Sequence, residues 1–283
     1  TVYGVTLFPY LLFFVWLTGW LYQKDQAKLA RFGEYLTLSF GICLTLISLY
    51  NPTWLTLNLI LSTLSLIYIN FRYQNKITSL IYFTHLTGIF TLISCLHWLF
   101  PQLSLRENIE YWGVIFLAIM ILELTLSILP FHVSKFKEEK AFQSAKIWFN
   151  SCWYFGLILA IITYLIFLSI VNSSLNNYWF LLWALTPLTL TLIASQSPSE
   201  KRAITAIYSS ISLILLQTLT ISDQAICIIS LALAIGLMFI NIRYFPHLFF
   251  TSLHFAFGIS LITIALWDYL LIPCPCESNL NQT

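Results

Sequence analysis

The sequence predicts an all-α, polytopic integral membrane protein, a helical bundle of about ten transmembrane helices with both termini outside. First, hydrophobic residues make up 59% of the 283-residue chain and charged residues only 8%, whereas a soluble domain carries roughly 25% charge. Second, apolar runs of nearly spanning length recur along the whole chain; crossing ~30 Å of hydrocarbon takes ~20 residues at 1.5 Å each. Third, Lys and Arg are concentrated in alternate connecting segments, as the positive-inside rule requires.

The low charge content also excludes several classes of protein. So few charged residues cannot form the hydrated surface that a soluble protein needs. This excludes a soluble enzyme, a nucleic-acid-binding protein and a disordered chain. The formal net charge of +2 is too small to indicate an anionic partner. The lipid bilayer is therefore the first partner that the sequence predicts.

Ten apolar runs are candidate spans. They do not alternate between apolar and polar residues, so helices are predicted rather than the strands of a barrel. Turn chemistry separates several of them, for example at Asn51-Pro52 and Ser197-Pro198, and Ser199 is expected to cap the helix that follows. In order, the predicted spans are 3–22, 33–50, 53–70, 77–99, 111–131, 147–171, 178–195, 203–220, 224–242 and 246–272.

The basic residues orient these spans. Twelve of the 13 Lys and Arg residues fall in the odd-numbered loops, and only Arg106 falls in an even-numbered loop. This asymmetry places the odd loops inside and both termini outside. The spans leave no room for a soluble domain, so we predict one membrane domain over 1–272 and a short polar tail over 273–283.

Ionisable residues inside predicted spans are candidate functional groups, because they are costly to bury in a membrane. Glu123, His85 and His254 each lie about eight residues from the inner end of their span, ~12 Å deep. A carboxylate and two imidazoles at one depth could relay protons or hold a metal or pigment. The alternative is that each residue is satisfied by its own neighbours.

Two further groups of polar residues have structural or ligand-binding interpretations. His247 and His254 are seven residues apart, which places them on one helix face and leaves haem or chlorophyll ligation open. A set of intramembrane amides is predicted to form hydrogen bonds between helices. The members of this set are Asn58, Asn70, Asn150, Gln217 and Asn241.

Two short segments carry a family resemblance. Residues 200–212 read EKRAITAIYSSIS, and residues 129–133 read LPFHV. They resemble the "D-x-K-R-x-x-A-Y-S-S-I-S" and "F-P-F-H-x-W" segments of the antiporter-like membrane subunits of respiratory complex I, its photosynthetic relatives and Mrp-type antiporters. The order of the segments is the family's order, and the resemblance covers roughly residues 35–215.

The resemblance implies a proton path, and the departures from it imply that the path is degenerate. Lys146 falls near the family's buried channel lysine, and Lys201 and His132 lie in the matching segments. Together with Glu123, His85 and His254 they are the proton-path candidates. Span three, however, has Asn58 or Leu59 where the family keeps a glutamate, so the chain resembles a divergent, non-pumping member.

The sequence thus leads to one functional hypothesis and two alternatives. The resemblance implies a membrane-arm or accessory subunit of a complex-I-like quinone or plastoquinone dehydrogenase, in a thylakoid or another energy-transducing membrane. Its partners would be other membrane subunits of the complex. The alternatives are a stand-alone secondary transporter with five plus five spans, and a structural or assembly subunit of a photosynthetic complex. No catalytic residues, metal motif or cofactor site are predicted, so the chain is at most a non-catalytic subunit of an oxidoreductase.

Overall fold

The structure is a computed structural model that describes residues 3–72, 78–100, 109–132, 139–170, 179–221 and 223–270. All regular structure within these ranges is α-helical. The described part of the chain contains one short turn of helix followed by ten helices of 16 residues or more. They are α1 (Tyr3–Thr6), α2 (Phe8–Gln23), α3 (Ala27–Ser48), α4 (Pro52–Arg72), α5 (Thr78–Leu99), α6 (Ile109–His132), α7 (Glu139–Ile170), α8 (Trp179–Gln196), α9 (Ser199–Thr220), α10 (Gln224–Tyr244) and α11 (Leu248–Leu270).

These helices confirm the predicted all-α, multi-pass membrane class. Eight of the described helices are long and apolar enough to span a membrane. Helix α2 has only 16 residues. The apolar part of α8, Leu182–Gln196, is also shorter than a full span. The exact number of spans and the side of the termini therefore stay predictions.

Two helices begin well before the predicted spans. A helix can extend beyond the apolar run into polar residues on its N-terminal side. Helix α3 begins at Ala27 rather than at residue 33, and α7 begins at Glu139 rather than at residue 147. The added residues include lysine, arginine and glutamate, which are good helix formers. The expectation that Ser199 caps α9 is wrong: Ser199 is the first helical residue, and the N-cap position is occupied by Pro198, which makes no side-chain capping hydrogen bond.

The chain divides into two compact units. Unit 1 comprises Thr1–Ile109 and Pro130–Phe155, and unit 2 comprises Glu110–Leu129 and Gly156–Thr283. Helices α6 and α7 each contribute residues to both units. The single membrane domain over 1–272 stays a prediction, and the predicted tail over 273–283 lies outside the described residues.

In unit 1, α2 and α3 form one hairpin and α4 and α5 form another. The first hairpin turns at Asp25, whose φ of 57° is left-handed, a conformation that aspartate tolerates better than most residues. Gly33 on α3 lies directly against Thr18 on α2: a Cβ added at Gly33 would come within 2.5 Å of the Thr18 Oγ1. The glycine therefore permits the close approach of the two helices.

A row of polar contacts joins α4 to α5. Its members on α4 are Thr56, Thr63 and Asn70, which are seven residues apart and so share one helix face. Thr56 and Thr63 make hydroxyl–hydroxyl hydrogen bonds of 2.7 and 2.8 Å, and the Asn70 amide donates to a threonine hydroxyl. The partners on α5 are Ser94, Thr91 and Thr84. A seven-residue repeat of contacts is typical of helices that cross at a small angle.

In unit 2, α8 and α9 form a hairpin, α10 and α11 form another, and α10 also packs on α8 and α9. The apolar core of this unit includes Leu213, Ala234, Met238 and Phe250, all less than 3% exposed. The inner surface of α9 is unusually polar, because Thr205, Ser209, Ser210 and Ser212 are buried along it.

Pro187 removes one backbone hydrogen bond from α8, and the Tyr164 hydroxyl of α7 lies beside the carbonyl that this leaves free. Pro187 has no N–H, so the carbonyl of Trp183, four residues earlier, loses its helical partner. The buried Tyr164 hydroxyl lies 3.3 Å from this carbonyl and 3.0 Å from the Ser212 carbonyl on α9. One hydroxyl thus contacts both helices at the break.

Candidate functional site

The three ionisable residues predicted at one depth are distributed between the two units. His85 on α5 belongs to unit 1, whereas Glu123 on α6 and His254 on α11 belong to unit 2. Glu123 is buried, with 6% of its surface exposed. His254 is partly exposed, but its Nδ1 is buried and has no hydrogen-bond partner among the described residues.

His85 is held within unit 1 by contacts with α7. Its Nδ1 lies 2.6 Å from the Oγ of the fully buried Ser151. Its ring packs edge-on against Phe155 at 4.9 Å between centroids, and Trp148 lies at 5.9 Å. One ring nitrogen of His85 is also within 4.8 Å of the Cys152 Sγ. The imidazole thus joins α5 to α7, and a proton on Nδ1 would be shared with a serine.

The lysines that the resemblance singles out do not lie in the interior of either unit. Lys146 on α7 is exposed, and Lys201 in the first turn of α9 is partly exposed. The side chain of His132 lies outside the part of the structure that is described. The proton-path assignment of these three residues stays a prediction.

Arg202, beside Lys201, has a definite structural position. Its Nε and Nη2 donate to the Ser197 carbonyl at 3.2 and 2.9 Å, and its Nη1 donates to the Tyr244 carbonyl at 3.4 Å. Ser197 directly follows α8, and Tyr244 is the last residue of α10. A cation at the carbonyl end of a helix complements both the unpaired carbonyls and the helix dipole. We call this contact the Arg202 clamp.

Glu34 is a buried carboxylate that the sequence analysis did not select. It lies on α3 in unit 1 and is 1% exposed. The Tyr22 hydroxyl on α2 donates to its Oε1 at 2.7 Å, and its buried Oε2 has no hydrogen-bond partner among the described residues. The signal that could have found it is the pair Gly33-Glu34 beside the predicted start of span two.

The predicted amide contacts between helices are confirmed at four positions. The Asn58 amide donates to Thr45 of α3 at 3.2 Å, and the Asn241 amide donates to Ser209 of α9 at 3.2 Å. Asn70 contacts Thr84 of α5, as described above. Gln217 binds Ser230 of α10 twice: its side-chain amide donates to the backbone carbonyl at 3.2 Å, and its Oε1 accepts from the hydroxyl at 2.7 Å.

One member of the histidine pair for which the sequence leaves haem or chlorophyll ligation open, His247, is used at the start of a helix. His247 precedes α11, and its Nδ1 accepts the Phe249 backbone N–H at 3.2 Å. It therefore serves as the cap of α11, a role in which a side-chain acceptor satisfies one of the free N–H groups of the first turn. The seven-residue spacing did not reveal that the helix begins between the two histidines.

The chain matches no known protein family, no curated protein and no solved structure. Among the described residues, the buried carboxylates are Glu34 and Glu123, and the other buried polar side chains are hydroxyls and amides. Hydroxyls and amides can hold helices in register, but they neither gain nor lose a proton near neutral pH.

Proposed function

We propose that this chain is a non-pumping membrane subunit of a complex-I-like quinone or plastoquinone dehydrogenase, located in a thylakoid or another energy-transducing membrane. The observation that supports a structural role is the pairing of buried hydroxyls and amides across neighbouring helices in both units. A proton half-channel instead requires a buried carboxylate and lysine whose affinities for protons are shifted against each other.

The basic residues of the matched segments support the same proposal. Lys146 is exposed, and Arg202 is committed to the carbonyl ends of two helices. A proton-transferring lysine would be buried and away from water. Lys146 is not buried, and Arg202 is already bonded to two backbone carbonyls. The family resemblance would then reflect a shared scaffold, with the conducting residues lost.

Membership of a complex is tested by native electrophoresis after extraction in mild detergent. The chain should migrate with quinone-reductase subunits in a large assembly and in equal stoichiometry. A stable monomer that moves a solute after reconstitution would support the transporter instead. A chain found only on incomplete assemblies would be an assembly factor.

The non-pumping role predicts the effect of Glu123→Gln. The substitution keeps the shape of the side chain and removes its titratable proton, so the intact complex should keep its normal abundance and its proton pumping. A buried neutral amide also avoids the desolvation of a carboxylate. Pumping by reconstituted complex is the measurement.

Glu110→Gln, near the start of the same helix, is the matched control for Glu123→Gln. It makes the same chemical change in a partly exposed side chain. A large loss of pumping in Glu123→Gln alone, at normal complex abundance, would show that the protein conducts protons and would refute the structural role.

A further inference from the structure

A cavity of about 300 Å³ lies between α2, α3, α4 and α5 of unit 1. Buried leucines such as Leu11, Leu59 and Leu66 form its inner wall. Its outer edge contains Leu46 and Phe90, which are both more than half exposed. In a membrane this edge faces lipid, so an occupant would enter from the hydrocarbon phase.

One hydroxyl in the cavity wall is uncommitted. Thr37, Thr45, Ser65 and Thr87 also line the cavity, and each donates its proton to a backbone carbonyl of its own helix. Ser62 differs, because it is buried, only 7% exposed, and its Oγ has no hydrogen-bond partner among the described residues. A buried hydroxyl without a partner is unfavourable, and a ligand oxygen would correct this.

The position of Ser62 restricts what that ligand is. Ser62 is ten residues from either end of α4, about 15 Å along the helix axis and thus close to the centre of the hydrocarbon layer. The ester groups of membrane lipids stay at the headgroup boundary and do not reach this depth. The occupant must therefore be an uncharged, lipid-soluble molecule that carries its own oxygen to the bilayer centre.

The aromatic residues of the wall favour a flat molecule. Phe83 and Phe90 of α5 both line the cavity and are seven residues apart, so they lie on one side of the helix. Aromatic side chains stack well against planar rings. The cavity volume is at the lower end of the range for small-molecule sites and suits a ring with a short part of its tail.

We propose that this cavity binds the ring of a lipid-soluble quinonoid or aromatic carbonyl compound, whose carbonyl oxygen accepts a hydrogen bond from the Ser62 hydroxyl. Asn58, one turn earlier on α4, does not line the cavity itself but contacts one of its lining residues, Thr45. Its side-chain amide donates to the Thr45 hydroxyl, and its Oδ1 is buried and unbonded among the described residues. The site rests on the cavity, and the proposed function guides only the choice of probe.

The test is photolabelling of the protein in its native membranes with an azido-benzoquinone that carries a decyl tail. The label should map to α3–α5, and excess unlabelled decyl-benzoquinone should compete with it. Ser62→Ala should lower labelling roughly ten-fold, the loss expected for one buried hydrogen bond. Ser48→Ala is the matched control and should leave labelling unchanged, because Ser48 is fully buried in α3, does not line the cavity, and its hydroxyl is bonded to the Leu44 carbonyl.

A second probe, phosphatidylcholine with a diazirine in the acyl chain, separates a specific ligand from lipid. Labelling of the same peptides by this lipid, without competition by the benzoquinone, would show that an acyl chain fills the cavity and would overturn the proposal. Equal benzoquinone labelling of wild type and Ser62→Ala would also overturn it. Specific labelling of a chain that does not migrate with a dehydrogenase would support the cavity while refuting the proposed function.

Discussion

Tyr164 places a single hydroxyl where the backbone of α8 lacks a hydrogen bond. Tyr164→Phe should therefore lower the free energy of unfolding by about 1–3 kcal/mol, because the Trp183 carbonyl that Pro187 leaves free would lose its contact. Reversible unfolding in mixed detergent micelles measures the change. The exposed Tyr154, on the same helix, is the matched control, and Tyr154→Phe should have little effect.

The double variant Tyr164→Phe, Pro187→Ala distinguishes this explanation from a general loss of packing. Alanine at residue 187 restores an N–H that can bond the Trp183 carbonyl, so Tyr164→Phe should be less harmful in that background. Equal costs of Tyr164→Phe in the two backgrounds would show that the hydroxyl does not compensate for the proline.

Glu34 shows why residue-level chemistry was only partly predictable. Glu123 and His85 stand deep in apolar runs, so their burial or enclosure could be expected from position alone. Glu34 is the second residue of the predicted span 33–50 and lies within two turns of Lys28 and Arg31, so its position places it at the edge of the apolar run and does not decide whether it is buried. Its burial depends on the preceding helix, which returns past the left-handed Asp25 and brings the Tyr22 hydroxyl to the carboxylate. Residues 27–34 can show a glutamate at the start of a span, but they cannot show that Tyr22 of the preceding helix becomes its partner.

At the scale of helix pairs, the close contact between α2 and α3 depends on Gly33, which has no side chain to hold the helices apart. Gly33→Ala would place a Cβ within 2.5 Å of the Thr18 Oγ1, and that hydroxyl is fixed by its own 2.7 Å bond to the Phe14 carbonyl. Either the helices separate or Thr18 changes rotamer and loses this bond, and we expect a loss of about 1–3 kcal/mol in the free energy of unfolding.

Gly88→Ala on α5 is the control for the same measurement. A Cβ at that position meets nothing within 4 Å, and alanine is the better helix former. Gly88→Ala should be neutral or stabilising. If Gly33→Ala were equally harmless, the close approach of α2 and α3 would not be a constraint in the folded protein.

Helix positions were largely predictable, and helix partners were not. An apolar run of spanning length indicates where a helix lies, and each of the ten predicted spans overlaps a helix within the described residues. The row at Thr56, Thr63 and Asn70 has a visible seven-residue spacing, yet nothing in α4 indicates that α5 rather than α3 receives it. Partner choice depends on how close two backbones can approach, which sequence position alone does not give.

For the whole molecule, the distribution of basic residues predicts that both termini lie outside. Single cysteines introduced at 135–140 and at 278–283, in a background without the native cysteines, should react with an impermeant maleimide from opposite faces of the membrane. The first segment belongs to an odd loop rich in lysine, and the second to the C-terminal tail. Labelling of both regions from the outer face would contradict the ten-span topology.

The division into two units was not predictable from composition. Both units have apolar helices of similar length, and the boundary falls inside α6 and α7 rather than in a polar linker. Each unit is a group of residues that contact one another more than they contact the rest of the chain. Hydropathy along the sequence does not show which residues will be in contact. The sequence therefore reveals the class of the molecule but not its subdivision.

The Arg202 clamp has a consequence for the order in which the nascent chain matures. Arg202 can bind the Ser197 carbonyl as soon as α9 starts to form, but its second acceptor, at Tyr244, is 42 residues further along. Before Tyr244 is made, the positive-inside rule predicts that the guanidinium acts only as a basic anchor at the membrane surface; once Tyr244 is in place, it joins the end of α10 to the end of α8. A chain arrested on the ribosome before residue 244 has emerged can insert α8 and α9 but cannot close this tie. Completion of the clamp thus marks the moment when α10 has inserted and returned to the starting side of the bilayer.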